Sequence, residues 1–105
     1  MFAHVKQMGA SELDRAVDEI ADEFAMFSDW EERYTHVLDL GKSLAPLSDA
    51  EHSDANKVRG CASQVWLVTA KGSAPGRLAF RGDSDAHIVR GLIAVLLRIF
   101  SDRTP

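Results

Sequence analysis

Residues 56–68 read NKVRGCASQVWLV, and the rest of the chain is organised around them. The stretch holds the only cysteine, Cys61, directly after Gly60, and glycine can adopt backbone conformations that are closed to other residues. An apolar run, Val65 to Val68, follows and is typical of a strand. The sequence therefore predicts that a loop enters a sheet close to Cys61.

Two cations precede the thiol in this stretch. Side chains alternate between faces in an extended chain, so Lys57, Arg59 and Cys61 are expected to point the same way. Nearby positive charge favours the thiolate, which is the reactive form of cysteine. Spacing alone leaves a second interpretation open, because an unpaired cysteine is often a small buried hydrophobe. Ser63 and Gln64 are equally open, since they could hydrogen-bond a sulfur anion or simply satisfy the loop backbone.

The composition limits the classes of function. The 105 residues are 46% apolar and 27% charged, which suits a single domain with its own core. A net charge of −4 argues against nucleic acid as a main partner, since phosphate binding needs a basic surface. A single cysteine cannot form a disulfide within the chain, which fits a reducing compartment. It also cannot by itself hold a zinc ion or an iron–sulfur cluster, because such sites need several ligands.

The longest apolar run, 92–97, is far shorter than the ~20 residues that cross a bilayer, and no signal peptide is recognisable. We therefore expect a cytoplasmic protein with no membrane partner.

Two helices are predicted in the N-terminal half. Ser11 is a good N-cap, and the apolar residues after it recur at three and four, which predicts an amphipathic helix over 12–27. Asp29, followed three residues later by Glu32, resembles the capping box of a second helix over 30–44.

Strands are predicted in the middle of the chain. Residues 45–56 are polar and rich in turn formers, and they lead to a short strand that starts at Val58. The main strand is predicted at 63–71 and a returning strand at 77–81, joined by a hairpin loop at 72–76. In the returning strand Leu78 and Phe80 are expected to face inward.

A third helix is predicted over 86–100, after a tight turn at 82–85 in which Asp83 or Ser84 caps the helix. Its apolar residues cover nearly the whole circumference, and a helix that is apolar all round is either buried or lacks a partner. We therefore expect another molecule, which could be a second copy of this chain, to cover its outer face.

Together these elements predict an α+β fold in one domain over residues 1–105. We expect a small antiparallel sheet of about three strands. The two N-terminal helices are expected to pack on one face of this sheet, with the third helix beside them.

Three blocks of the sequence, found in this order, resemble the SufE family of sulfur acceptors. The first runs from Asp29-Trp30-Glu31-Glu32-Arg33-Tyr34 to Leu40-Gly41-Lys42-Ser43-Leu44, the second covers 56–67, and the third joins 82–86 to 88–92. The Gly-Cys-x-Ser-x-Val-Trp-Leu core of the second block is the most specific part.

The resemblance implies persulfide transfer. A cysteine desulfurase that uses pyridoxal phosphate would hold sulfur as a persulfide, and Cys61 would accept that sulfur and pass it to an iron–sulfur scaffold. The chain would then be a carrier that activates the desulfurase, without a cofactor of its own and without being an enzyme. Arg59, Gly60, Ser63 and Gln64 would support Cys61. A single cysteine suits a carrier, because a second thiol nearby could release the sulfur by forming a disulfide.

The sequence departs from the family at its C-terminal end. Family members continue into a further helical segment with a Ser-Arg-x-x-Gly-Leu pattern, and nothing here matches it. We therefore expect a shortened form, a fragment or a divergent relative of the family, and the helix-start signal at Thr104-Pro105 favours the first two. The alternative function is a desulfurase-binding or regulatory module that does not transfer sulfur. A third hypothesis is a cysteine hydrolase in which His52 or His87 serves Cys61 as a base.

Overall fold

The computed structural model describes residues 11–60 and 62–103. Within these ranges the chain has the predicted α+β fold. A two-stranded antiparallel sheet accompanies three α-helices and one short 3₁₀ turn. The elements in chain order are α1 (Glu12–Ala25), α2 (Trp30–Lys42), the 3₁₀ turn (Asp54–Asn56), β1 (Val65–Lys71), β2 (Leu78–Ser84) and α3 (His87–Phe100).

The predicted starts of the first two helices are confirmed. Ser11 Oγ accepts a hydrogen bond from the Asp14 amide at 3.1 Å, and the Asp14 carboxylate accepts one from the Ser11 amide at 3.4 Å, which completes a capping box. Asp29 Oδ1 accepts from the Glu32 amide at 2.9 Å. These caps satisfy amides that have no partner inside the helix. The helices end at residues 25 and 42, slightly before their predicted ends.

The sheet is simpler than predicted. In its register Val65 pairs with Ser84 and Trp66 with Asp83, so β2 continues through the stretch that was expected to be a tight turn. In place of a strand at Val58 there is one isolated bridge between Lys57 and Trp66. Two strands are therefore present in the described residues, where about three were expected.

The packing of the helices differs from the prediction in which helix makes the main contact with the sheet. The C-terminal helix α3, not the N-terminal pair, lies against the sheet, and it contacts β2 on one side and α2 and α1 on others. As the most apolar helix, α3 gains most from the central position. Two glycines permit the close packing. A methyl group placed on Gly82 would lie 2.9 Å from Ile93 Cγ2, and one placed on Gly91 would lie 2.1 Å from the Val37 carbonyl oxygen.

One face of α3 is left uncovered by the described residues. Leu92, Leu96 and Phe100 follow one another every fourth residue and are each about half exposed. The predicted outer apolar face of this helix is therefore exposed among the described residues. Leu78 also departs from its prediction, since it is exposed where an inward position was expected, whereas Phe80 is half-buried. No helix among the described residues is both long enough and apolar enough to span a bilayer.

Candidate functional site

The loop between β1 and the 3₁₀ turn contains the Gly-Cys pair. Gly60 has a φ of +86°, in the left-handed region that favours glycine, and a side chain at this position would meet no atom within 4 Å. Arg59, Gly60 and Ala62 are all exposed. Cys61 itself lies outside the described residues. The turn that leads to it is therefore open on the solvent side.

Gln64 fastens the downstream end of this loop to the end of β2. Its amide donates to Asp85 Oδ1 at 3.0 Å, and its carbonyl oxygen accepts from Ser84 Oγ at 2.6 Å and from the Asp85 amide at 3.2 Å. At the base of the loop, the Val58 amide donates to the Val65 carbonyl oxygen at 2.8 Å. Gln64 thus holds the loop through its backbone, a role that the sequence did not indicate.

The predicted capping of α3 by Asp83 or Ser84 is wrong. Ala86 occupies the N-cap position, and no side chain caps this helix by hydrogen bonding from there. Ser84 Oγ does accept from the Ala86 amide at 3.2 Å, but Ser84 is the last residue of β2. Because β2 continues past Gly82, the side chains of Asp83, Ser84 and Asp85 bond to residues before and after the loop that contains Cys61. We call this loop the Cys61 loop.

Three alternate residues of β2 and its end lie on the strand face opposite Gly82. Each bonds to a residue in the segment that leads into the Cys61 loop or leaves it, so we call this set the polar ladder. Its pairs are Arg81 with Glu51 (Nη1–Oε1, 3.1 Å), Asp83 with His52 (Oδ2–Nε2, 2.7 Å) and Asp85 with Gln64 (Oδ1–N, 3.0 Å).

Glu51 is the acidic member of the first pair. The Arg81 guanidinium donates to both of its carboxylate oxygens, and the Ser48 amide donates to Oε1 at 2.9 Å. The hydrogen bond from Arg81, aided by the one from Ser48, lowers the pKa of Glu51 to about 2. Glu51 is therefore ionised at neutral pH and closes the turn at residues 48–52.

His52 is at the centre of the polar ladder. Its Nδ1 lies 2.8 Å from the Ser48 carbonyl oxygen, and its ring meets the Trp66 indole edge-on with centroids 4.7 Å apart. The hydrogen bond to Asp83 raises the pKa of His52 above its ordinary value. Burial raises the pKa of Asp83, but hydrogen bonds from His52 and the Ser84 amide and the charge of Arg90 lower it overall. Arg90 Nε lies 3.1 Å from Asp83 Oδ1, so α3 also contacts this carboxylate.

The other predicted site residues are placed as follows. Arg59 forms no ion pair with any residue in 11–60 or 62–103, so its charge is not neutralised by a described carboxylate. Lys57 is half-buried and bridges to Trp66 through its backbone. Ser63 is half-buried, and its hydroxyl bonds to none of the described residues. The two cations are thus near Cys61 in sequence.

The arrangement around His52 bears on the hydrolase hypothesis. Both of its ring nitrogens face oxygen atoms, of Ser48 and Asp83, so neither is left to take a proton from a thiol. His87 is exposed and lines a groove between α2 and α3 with Tyr34 and Arg90. Within the described part of the chain, no three His, Cys, Asp or Glu side chains are grouped to hold a metal ion.

Comparison with known proteins gives consistent similarities. A family model described as "SufE: Fe-S metabolism associated domain" matches residues 18–105. The chain is 52% identical over 90 residues to an uncharacterized SufE-like protein of Rhizobium meliloti, an alignment that covers 84% of this chain and 64% of that protein. It is 49% identical over 90 residues to an uncharacterized SufE-like protein of Rhizobium etli, covering 84% and 61%. The chain spans less than two thirds of the length of either relative.

Proposed function

We propose, because the chain belongs to the SufE family, that Cys61 accepts sulfane sulfur as a persulfide from a pyridoxal-phosphate-dependent cysteine desulfurase. In this proposal the chain stimulates that enzyme and passes the sulfur to an iron–sulfur cluster scaffold. The left-handed turn at Gly60, with exposed residues on both sides of Cys61, is the observation that carries this proposal. An open turn before the only thiol gives a second protein's sulfur a route of approach.

The chemical step needs one thiolate. Cys61 loses its proton to solvent, and its sulfur attacks the terminal sulfur of the desulfurase persulfide. A new sulfur–sulfur bond forms on Cys61, the donor's sulfur–sulfur bond breaks, and the desulfurase cysteine leaves as a thiolate. No net oxidation or reduction takes place, so the step requires no further reactant.

The local charge suits this step. Arg59 is exposed, and no described carboxylate neutralises it, so its field favours the Cys61 thiolate. The polar ladder fixes both ends of the loop by hydrogen bonds that stay out of the exposed turn. A carrier of this kind keeps its base rigid while its thiol remains accessible to a partner.

A persulfide assay tests the proposal. The protein is mixed with a purified cysteine desulfurase and free cysteine, and intact-mass spectrometry follows the addition of one sulfur atom. We expect added sulfur on the wild type and none on Cys61→Ser, with faster alanine release by the desulfurase only when the wild type is present. No added sulfur on the wild-type protein would contradict the proposed transfer.

A second candidate is a desulfurase-binding module that does not transfer sulfur. The exposed stripe of Leu92, Leu96 and Phe100 favours it, because a contiguous apolar face on a helix marks a docking surface. In this case Cys61→Ser would bind the desulfurase as tightly as the wild type, and neither protein would stimulate turnover. Binding measured beside the persulfide assay separates the two candidates.

A further inference from the structure

We propose that His52, in its doubly protonated form, is a positioning residue for the thiol chemistry of Cys61, because it ties the segment before the Cys61 loop to β2 through Asp83. The inference rests on the proposed function, because its consequence is that the rate of sulfur transfer depends on the charge of His52. Nothing in the resemblance to sulfur acceptors assigned this residue such a role.

The hydrogen-bond geometry around His52 requires the positive charge of the imidazolium form. The ring nitrogens of His52 face two oxygen atoms that can only accept, the Ser48 carbonyl oxygen at 2.8 Å and Asp83 Oδ2 at 2.7 Å. A neutral imidazole has one N–H and can satisfy only one of these acceptors, whereas imidazolium donates to both. The raised pKa of His52 agrees with this requirement.

The contact between His52 and Asp83 fixes the segment that enters the Cys61 loop. His52 ends the turn that begins at Ser48, and the 3₁₀ turn Asp54–Asn56 then leads directly to the bridge between Lys57 and Trp66. Asn56 Nδ2 donates to the Glu51 carbonyl oxygen at 3.0 Å, which holds these two turns together. Because Asp83 is the register partner of Trp66, the His52–Asp83 bond fixes the entry to the loop against β2.

The charges that face His52 come from several elements. Asp83 on β2 bonds to it directly, and Asp49, in the same turn, favours its proton through space. Arg90 on α3 faces the same carboxylate and forms an ion pair with its other oxygen, Oδ1, at 3.1 Å. Glu51 is occupied by Arg81, and β1 contributes only the uncharged Trp66. The balance keeps His52 cationic to a higher pH than a free histidine.

Deprotonation of His52 breaks one of the two bonds and loosens the entry to the loop. The thiolate fraction of Cys61 rises with pH, so the effect of His52 must be separated from simple thiol ionisation. Comparing variants achieves this, because His52→Gln donates one neutral hydrogen bond at every pH and His52→Arg keeps a cation at every pH. His36→Gln is the matched control, since His36 pairs with Glu23 on α1, away from the loop.

The first measurement is the exchange rate of Cys61 with a small aromatic disulfide between about pH 5.5 and about pH 8.5. Each rate is divided by the thiolate fraction, which is obtained from the thiol's absorbance. We expect the wild type and His36→Gln to show a step of roughly fivefold. The midpoint should coincide with the ring titration of His52 followed by NMR. His52→Gln and His52→Arg should each show no step. A wild-type profile that matches His52→Gln would overturn the proposal.

The second measurement is single-turnover sulfur transfer from a persulfidated desulfurase over the same pH range. The ratio of wild type to His52→Gln should fall from roughly five to about one as His52 loses its proton, while His52→Arg keeps the acidic-side rate. If disulfide exchange shows the step but no variant accepts sulfur, the proposed function fails and the positioning role of His52 stands. If sulfur is transferred and neither measurement shows the step, the positioning role fails alone.

Discussion

The two faces of the hairpin formed by β1 and β2 are held by different kinds of interaction. On the face towards α3, Gly82 has no side chain and Ile93 packs against it, so the contact depends on shape. On the opposite face, the polar ladder binds the segment around the Cys61 loop by charge and hydrogen bonding. The difference teaches that the fold and the candidate site respond to different perturbations. Volume changes should unfold the protein, whereas pH and charge changes should act on the loop.

The largest effect is expected on the packed side. Gly91→Ala places a methyl group 2.1 Å from the Val37 carbonyl oxygen, so α2 and α3 must separate. Overpacking of this kind costs about 3 kcal/mol of unfolding free energy, which urea denaturation measures. Gly76→Ala is the control, since its φ of +81° brings backbone strain but no atom lies within 4 Å. The control should cost about 1 kcal/mol. Equal losses would show that the helix crossing is not the tighter constraint.

A smaller effect is expected from Asp83→Asn on the polar side. The substitution keeps the shape and removes the charge that His52 and Arg90 share. We expect a loss of about 1 kcal/mol in urea denaturation at neutral pH and a lower ring pKa for His52 by NMR. Asp39→Asn removes an exposed carboxylate that pairs with Lys42 at 3.5 Å, and it should leave both quantities unchanged. An unchanged titration of His52 in Asp83→Asn would contradict the polar ladder.

Acid should lower the stability of the fold through two carboxylates, Glu23 and Glu51. A hydrogen bond from Arg98 lowers the pKa of Glu23 to about 2, and Arg81 does the same for Glu51. Because both values lie below the ordinary one, the stabilisation is complete above about pH 4.5 and is lost as the pH falls towards about 2. Glu23→Gln and Glu51→Gln should each flatten the decline of Tm with acid. A decline as steep as that of the wild type would show that the ion pair contributes nothing.

The smallest effect is expected at the uncovered stripe of α3. Leu96 is 54% exposed, so Leu96→Gln should change the unfolding free energy by less than about 0.5 kcal/mol. It should reduce the binding of a hydrophobic dye and any self-association seen by light scattering. The same experiment tests whether the partner of this face is a second copy of the chain. A large loss of stability from Leu96→Gln would mean that this face is covered.

The sequence predicted the helices well because their signals are local. Ser11 and Asp29 cap α1 and α2 through residues only three positions away, and the apolar spacing needs no information beyond each helix. The third helix was also found, but not its place against the sheet. That place depends on the absence of side chains at Gly82 and Gly91, which periodicity does not report.

The stretch 82–85 was misinterpreted for the opposite reason. Gly-Asp-Ser-Asp is a strong local turn signal, and long-range pairing overrides it. Arg81, Asp83 and Asp85 alternate as they would on one strand face, and this alternation was the available clue. The partner of Asp83 is His52, 31 positions away, and nothing in the spacing connects them. The Gly60–Cys61 motif was found because all its parts are adjacent.

The edge-on contact between His52 and Trp66 gives the molecule an optical reporter of its own. The chain has two tryptophans, and Trp30 is 79% exposed. Trp30→Phe would leave a single indole at the base of the Cys61 loop, where a neighbouring imidazolium quenches fluorescence more strongly than a neutral ring. The emission of Trp66 should then report the charge of His52 continuously, and the arrival of a partner at the loop could be followed without any attached dye.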